Sequence, residues 1–240
     1  DLVDELLRGG ALPSKWTDAR PTRGIGVPMI RLGVSQVLRA AAWSTTPGVG
    51  DLDQAADDCC REIEAFLRAD LGCVLEVMSV DGEALDSFDG RCLKPGHAIE
   101  AAAFLYQEAQ LRGVASARAA SLRESARTML ELSLAHGWDE RYGGLLYFVD
   151  RDGREATEYW HDMKFWWPHC EAMLACLLAF EAHEEPRWLD RYDEIRSWTI
   201  EHFRDADFGE CFGYLHRDGS VSSEIKGNVW KGPFHLPRAL

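Results

Sequence analysis

No apolar run in this sequence reaches the roughly 18 residues that a membrane-crossing helix needs. The first ten residues, DLVDELLRGG, are acidic and lack the basic-then-apolar order of a signal peptide. Positive charge is scarce as well. Lys and Arg number 26 against 40 Asp and Glu, for a net charge of -14. Nucleic acid and anionic membrane surfaces both require a basic patch, so neither is expected as a partner. The seven cysteines contain no CxxC pair, although Cys59 and Cys60 are neighbours. Zinc ribbons and disulfide frameworks want regular spacing, so reduced core thiols in a cytoplasmic protein are the expectation. A low-complexity linker and a glycine-rich phosphate loop are also missing. The chain opens on Asp1 where a complete reading frame would give Met, so residues upstream are expected.

What is present is an ordinary globular balance, with 46% hydrophobic and 28% charged residues over 240 positions. One domain spanning 1–240 with a sizeable core is the default. Helical periodicity dominates. Ile30, Val34, Val37, Leu38 and Ala41 share one face. Leu52, Ala55, Ala56, Cys59, Ile63, Phe66 and Leu67 form a second stripe. Further helices are predicted over 97–112, 117–136, 168–182 and 186–203, and HLPRAL opens another. Pro168 and Pro186 suit first-turn positions. Strand signals are few and short. CVLEVMSVDG, GGLLYFVDRDG and CFGYLHRDG each end in Asp-Gly, which predicts small hairpins on one rim of a helical body. The loose repeat of helix, loop and helix suggests an array of helical hairpins.

Three histidines fall at predicted helix entrances. His97 follows Pro95-Gly96, His169 follows Pro168, and His235 precedes Pro237. Positive partial charge at a helix N-terminus favours neutral imidazole, which can accept a proton. Packed in parallel, three such entrances could converge. Glu100 lies one turn after His97, and Glu171 lies two residues after His169. Lys164, Trp166 and Trp167 precede His169. Trp230 and Lys231 precede His235, and Arg238 follows it. Flat aromatic surfaces beside a few hydrogen-bonding charged groups suit a polyhydroxylated ligand. The plainer alternatives are a capping or core histidine and a Trp-Trp pair that fills the core. A metal pair of His97 and Glu100 lacks the further Glu-x-x-His repeats that bundle metal sites carry, so no metal is expected.

At PGHAIEAAAFL, GWDERYGGLLYFVDRDG, DMKFWWPHCEAM, FGECFGYLHRDG and KGPFHLPR, in that order, the sequence resembles the N-acylglucosamine 2-epimerase family, which is related to the cellobiose 2-epimerases. VPMIRLGVSQVL extends the likeness upstream. The resemblance implies an all-α fold, an (α/α)6 barrel of helical hairpins that is incomplete in this chain, with short β-hairpins on one rim. It implies that His97 and His235 act as the acid/base pair in an epimerisation at C2 of a sugar. It further implies that Glu100, Lys164, Trp167, His169, Glu171, Trp230 and Arg238 line the substrate site. N-acyl-D-glucosamine and N-acyl-D-mannosamine are the expected sugars. The chemistry needs no cofactor, and the resemblance admits ATP as an allosteric activator and a homodimer as the assembly. A related aldose–ketose isomerase, a 2-epimerase of an unacylated sugar, and an inactive binding protein are the rival readings. Two positions depart from the family's usual residues: Ala103 and Cys211 stand where tryptophans are common. An incomplete barrel also predicts an open edge at the helix carrying Ile30, with apolar surface exposed there.

Overall fold

The computed structural model of the chain describes residues 21–41, 51–113 and 115–239. The acidic opening stretch 1–10 lies outside the described residues. Among those described, eight helices and nine short strands occur. Six helices are long: α1 (Gly26–Ala40), α2 (Leu52–Glu64), α4 (Pro95–Arg112), α5 (Ala117–Gly137), α6 (Trp166–His183) and α7 (Arg187–Phe203). Two are short, α3 (Phe88–Arg91) and α8 (His235–Ala239). Among the described residues, no helix is long and apolar enough to cross a membrane.

Packing sorts the helices into two layers. α1, α4, α6 and α8 form one row in which each touches the next, while α2, α5 and α7 back the members that precede them. Residue choice explains the layering. α4 (PGHAIEAAAFLYQEAQLR) and α6 (WWPHCEAMLACLLAFEAH) are buried on nearly all sides, as an inner helix must be. α7 buries only Trp188, Ile195, Thr199 and Phe203 and leaves its other side to solvent. The inner helices open at Gly26, Pro95, Trp166 and His235, at intervals of about seventy residues. Each hairpin unit therefore delivers one helix N-terminus to a common rim.

Short strands gather at that rim. β1 (Thr22–Gly24) leads into α1 and pairs antiparallel with β4 (Val77–Ser79). β5 (Cys92–Leu93) leads into α4 and pairs with β6 (Val149–Asp150). β7 (Lys164–Phe165) leads into α6 and pairs with β8 (Tyr214–Leu215), which also pairs with β9 (Val221–Ser223). The three Asp-Gly steps are turns, with Gly82, Gly153 and Gly219 all at positive φ. Of the three expected hairpins, however, only β8–β9 is one. The strands of CVLEVMSV turn to different partners: β3 (Cys73–Val74) joins β2 (Leu67–Arg68), while β4 joins β1. The two residues between them bond in the same two directions, Leu75 N–H donating to the Phe66 carbonyl at 2.9 Å and the Glu76 carbonyl accepting from Ile25 N–H at 3.1 Å.

The α1 stripe faces outward, as an open edge requires. Val27, Ile30, Val34 and Val37 are exposed, while Met29, Leu32 and Gln36 face α2 and α4. One buried carboxylate ties α1 to α4. Glu108 is fully buried and accepts hydrogen bonds from Arg39 at 2.9–3.1 Å, from Arg112 at 2.8 Å and from Gln36 at 3.3 Å. Burial is the largest single influence and opposes its charge, but the hydrogen bonds and charges of Arg39, Gln36 and Arg112 together outweigh it and hold its pKa below the ordinary glutamate value. Removing one member of such a buried cluster leaves the others uncompensated. Glu108→Ala is therefore expected to lower unfolding stability by about 3 kcal/mol in urea titrations. A loss below about 0.5 kcal/mol would show that apolar packing alone joins the two helices.

Candidate active site

The rim of inner-helix N-termini carries the site. α2 and α5 are capped by their own side chains, Asp51 and Ser116, but α1, α4 and α6 carry no side-chain cap. The helix α4 opens on Pro95, which has no N–H to satisfy, and the first N–H of α6, that of Trp166, donates to the Gly213 carbonyl at 3.2 Å. Helical geometry then selects the residues. At 100° per residue, positions three or four apart share a face, while positions two apart point nearly opposite ways. On α4 that pairs His97 with Glu100. On α6 it pairs Trp167 with Glu171 and sends His169 to the other side. On α8 it pairs His235 with Arg238.

The structure follows this arithmetic. The Trp167 indole adjoins both histidines, with its ring centre 5.4 Å from that of His97 and 5.4 Å from that of His235. The two imidazoles are thus at most twice that distance apart. Close approach at Gly96 makes this possible, since a Cβ there would sit 2.6 Å from the Trp167 ring and 2.9 Å from Pro168. Each imidazole is oriented by a carboxylate. His97 Nδ1 donates to Glu76 at 2.9 Å, and Lys94 Nζ lies 3.6 Å from the same oxygen. His235 Nδ1 donates to Glu171 Oε1 at 2.7 Å. With Nδ1 engaged, Nε2 is left free on both rings to take up or release a proton.

Around His235 the site is buried and strongly coupled. The Glu171 carboxylate is fully buried, with Arg238 Nη2 at 3.3 Å from its second oxygen. The Arg238 guanidinium lies over Phe104 at 4.4 Å and Phe234 at 5.0 Å, and its Nε and Nη2 have no hydrogen-bond acceptor. Glu100 is 6% exposed. Burial, then the Glu171 charge, push its pKa up to about 8, against a smaller opposing pull from Arg238. It is therefore a neutral acid, and a hydrogen-bond donor, at pH 7. Glu100, Glu171 and His235 bring ligand atoms within 4.8 Å of one another, a geometry that could hold a cation. Here Nδ1 of His235 is already bonded to Glu171, and Arg238 supplies the positive charge. His97 is not part of that group.

Two expected substrate residues are corrected. Lys164 is fully buried, and its ammonium donates to Asp139 at 3.1 Å, to the Arg217 carbonyl at 2.7 Å and to the Gly143 carbonyl. All three of its protons are spent inside the protein. His169 is fully buried too. Its Nδ1 donates to the Phe165 carbonyl at 2.7 Å, its Nε2 accepts from Leu145 N–H at 2.9 Å, and it stacks on Trp198. Burial lowers its pKa to about 3. Both residues brace the rim from behind. Trp230 is 80% exposed on the segment before α8. Ala103 sits in the sealed core of α4. The sequence reading overlooked Glu76. The available signal was a lone carboxylate inside the apolar stretch CVLEVMSV.

The Glu100 geometry has a measurable pH signature. The folded protein keeps this proton between about pH 4.5 and pH 8, whereas the unfolded chain releases it at the low end of that window. Folding stability attributable to Glu100 therefore falls as pH rises through the window and levels off above it. Glu100→Gln mimics the protonated form. It should match the parent in thermal unfolding near pH 4 and exceed it by about 2–3 kcal/mol at pH 8.5. An equal difference at both pH values would rule out a protonated Glu100.

Comparisons with known proteins bear on the family and the fold. The family model described as N-acylglucosamine 2-epimerase (GlcNAc 2-epimerase) matches residues 71–236. The N-acylglucosamine 2-epimerase of Bos taurus is 39% identical over 222 residues, covering 92% of this chain and 51% of its own length. The Homo sapiens protein of the same name is 37% identical, covering 90% of this chain and 49% of its own. The chain thus spans about half the length of the curated relatives it matches. Among solved structures, a D-mannose isomerase superposes with a TM-score of 0.73 at 21% identity, covering 95% of this chain and 56% of that one. A cellobiose 2-epimerase from Spirochaeta thermophila gives 0.72 at 21% identity, covering 95% and 54%. These likenesses show the fold. The three long hairpins are part of an (α/α)6 barrel, and the described helices do not close it. With its family motifs gathered on one rim of that fold, the chain belongs to the N-acylglucosamine 2-epimerase family.

Proposed function

We propose that this rim catalyses 2-epimerisation of an N-acylated hexosamine, interconverting N-acyl-D-glucosamine and N-acyl-D-mannosamine. The observation that carries the reading is the pair of carboxylate-oriented imidazoles, His97 and His235, each with its ring centre 5.4 Å from that of the Trp167 indole. C2 of an aldose is acidic only when C1 is an open-chain carbonyl. One histidine Nε2 removes the C2 proton, and the electron pair moves onto the carbonyl oxygen as an enediolate. The other histidine, holding its proton on Nε2, returns it to C2 from the opposite face. Solvent then resets the two rings. Each positioned acid or base typically contributes about 10²–10⁴-fold. The unpaired donors of Arg238 suit the enediolate oxygen, a contact often worth about 10²–10³-fold. Neutral Glu100 suits a sugar hydroxyl. The reaction written this way uses no cofactor.

The relatives of this name support the acylated hexosamine as substrate, and two imidazoles, each oriented by its own carboxylate, support two bases over one. The test follows C2 deuterium uptake and epimer interconversion by NMR, with N-acetylmannosamine in deuterated buffer. It uses the 240-residue chain beside a chimera in which the bovine relative supplies the residues this chain does not span. His97→Asn and His235→Asn should each lower interconversion at least about 100-fold. Any surviving deuterium uptake should be confined to one epimer in the first variant and to the other epimer in the second. Glu76→Gln and Glu171→Gln should lower kcat about 10–100-fold with little change in KM, as expected of groups that orient a base. Near-parent interconversion in both histidine variants would overturn the two-base assignment. A chimera that turns over mannose but not N-acetylmannosamine would overturn the acylated substrate.

A further inference from the structure

Between β9 and α8 the chain runs as a strap, residues 224–234, without regular structure, and it delivers His235 to the rim. Its apolar side chains do not hold it there. Ile225, Val229, Trp230 and Phe234 are all exposed, Val229 at 88%. From Val221 to Ala239 the single buried residue is a lysine, Lys231. Lysine is almost never buried unless paired, because its ammonium loses its water and needs acceptors in return. A strap with apolar groups outward and a lysine inward is held by polar contacts.

Three ties fasten it. Lys226 Nζ donates to the Gly209 carbonyl at 2.8 Å and pairs with Asp205. Asn228 Nδ2 donates to the Tyr214 hydroxyl at 3.0 Å, while its Oδ1 accepts from the Trp230 and Lys231 N–H groups at 2.8 and 2.9 Å. The third tie lies nearest to His235 in the chain. Lys231 Nζ donates to Glu210 Oε1 at 2.5 Å, with 5% of the lysine side chain exposed. The lysine stem runs over Gly213, where a Cβ would sit 2.9 Å from its Cδ and 3.6 Å from the Trp166 ring. The ammonium lies 5.8 Å from the centre of that ring, and the ring stands edge to face with His235 at 6.4 Å. Lys231 and His235 thus adjoin the same indole. Glu210 holds an uncommon backbone conformation to make its contact. At φ 63° it is one of two non-glycine residues with positive φ among the described residues. Such a conformation persists in a glutamate only where the surroundings impose it.

We infer, on the reading of His235 as a base, that Lys231 is a positioning residue: through Glu210 it fastens the strap so that His235 stands beside Trp167 with its Nδ1 on Glu171. α8 contributes little to its own placement, since it has five residues and none is buried. Its entrance therefore stands where the strap ends. Without the Glu210 carboxylate the Lys231 ammonium would be buried and unpaired. It would leave the Gly213 groove for water, and the strap would move with it.

The test uses Glu210→Gly, Lys231→Met and the two together. Glycine adopts positive φ freely, so Glu210→Gly removes the carboxylate and keeps the turn. Methionine keeps an apolar stem in the groove and removes the ammonium. The first readout is imidazole nitrogen NMR of the 240-residue chain, which needs no turnover. In the parent, His97 and His235 should both carry the proton on Nδ1. Glu210→Gly should move the His235 nitrogens toward a mixture of tautomers and leave those of His97 unchanged. Lys231→Met should be milder, because the Glu210 side chain it strands is 43% exposed. Adding Lys231→Met to Glu210→Gly removes the unpaired ammonium and should return His235 toward the parent signal. The second readout is turnover of N-acetylmannosamine by Glu210→Gly in the chimera with the bovine relative. There kcat should fall at least about tenfold with KM nearly unchanged, as a misplaced base requires. Circular dichroism checks folding, and the smaller His235 shift in Lys231→Met decides if Glu210→Gly does not fold. Unchanged His235 nitrogens, equal changes at His97 and His235, or a double variant worse than Glu210→Gly would overturn the inference. A parent chimera without turnover would instead count against the epimerase reading, and the imidazole signals alone would then decide the Lys231 tie.

Discussion

The fully buried carboxylate of Glu171 is the constraint on which the site depends. It lies one turn inside α6, out of water, and its charge must be answered locally because burial of an uncompensated carboxylate is costly. The answer comes from the following unit of the chain, with His235 on one oxygen and Arg238 near the other. α8 is only five residues long and has no buried residue of its own. The Glu171 contacts therefore supplement the partial apolar packing of Leu236 and Ala239 in holding α8. The same charge presses on Glu100 and helps to keep its proton in place. One carboxylate thus orients a base, seats an arginine and sets the protonation of a neighbour.

The second constraint is steric. Placing two imidazoles about one indole requires the α4 and α6 entrances to approach within van der Waals contact of the Trp167 ring, and only a glycine at position 96 permits it. The glycine that opens the helix and the tryptophan that opens its neighbour are a single packing solution. His97 is the residue that this close approach delivers to the pocket. Behind the rim, Lys164 with Asp139 and His169 with Trp198 fix the strands that feed α6. The rim is consequently braced from below.

Local chemistry in the sequence revealed much of this. Proline positions marked the α4 and α6 starts to within two residues, and the Asp-Gly steps marked turns at Gly82, Gly153 and Gly219. The histidines at 97 and 235 were recognisable because entrance and family motif coincide. What stayed hidden depends on direction or distance. His169 looked equivalent to the other two, yet it is two residues from Glu171 and so must point the other way. Lys164 looked like a ligand for hydroxyls. Its acceptors, at Asp139, Gly143 and Arg217, are 21 to 53 residues away in sequence, and no local pattern announces them. Glu76 is 21 residues from the histidine it orients and reads locally as an odd polar residue in a strand.

The burial of Lys164 is one case of a wider pattern. Lys94 is held against Glu76 with 17% of its side chain exposed, and Lys231 against Glu210 with 5%. The positive charge that water meets on the described surface is therefore carried mainly by guanidinium groups, which stay protonated and resist acylation. Amine-directed reagents, whether crosslinkers, acylating labels or amine-coupling supports, find few accessible ε-amino groups on this side of the protein. Lys164, with every proton engaged, would react only after the rim had come apart, and its acylation would report that event.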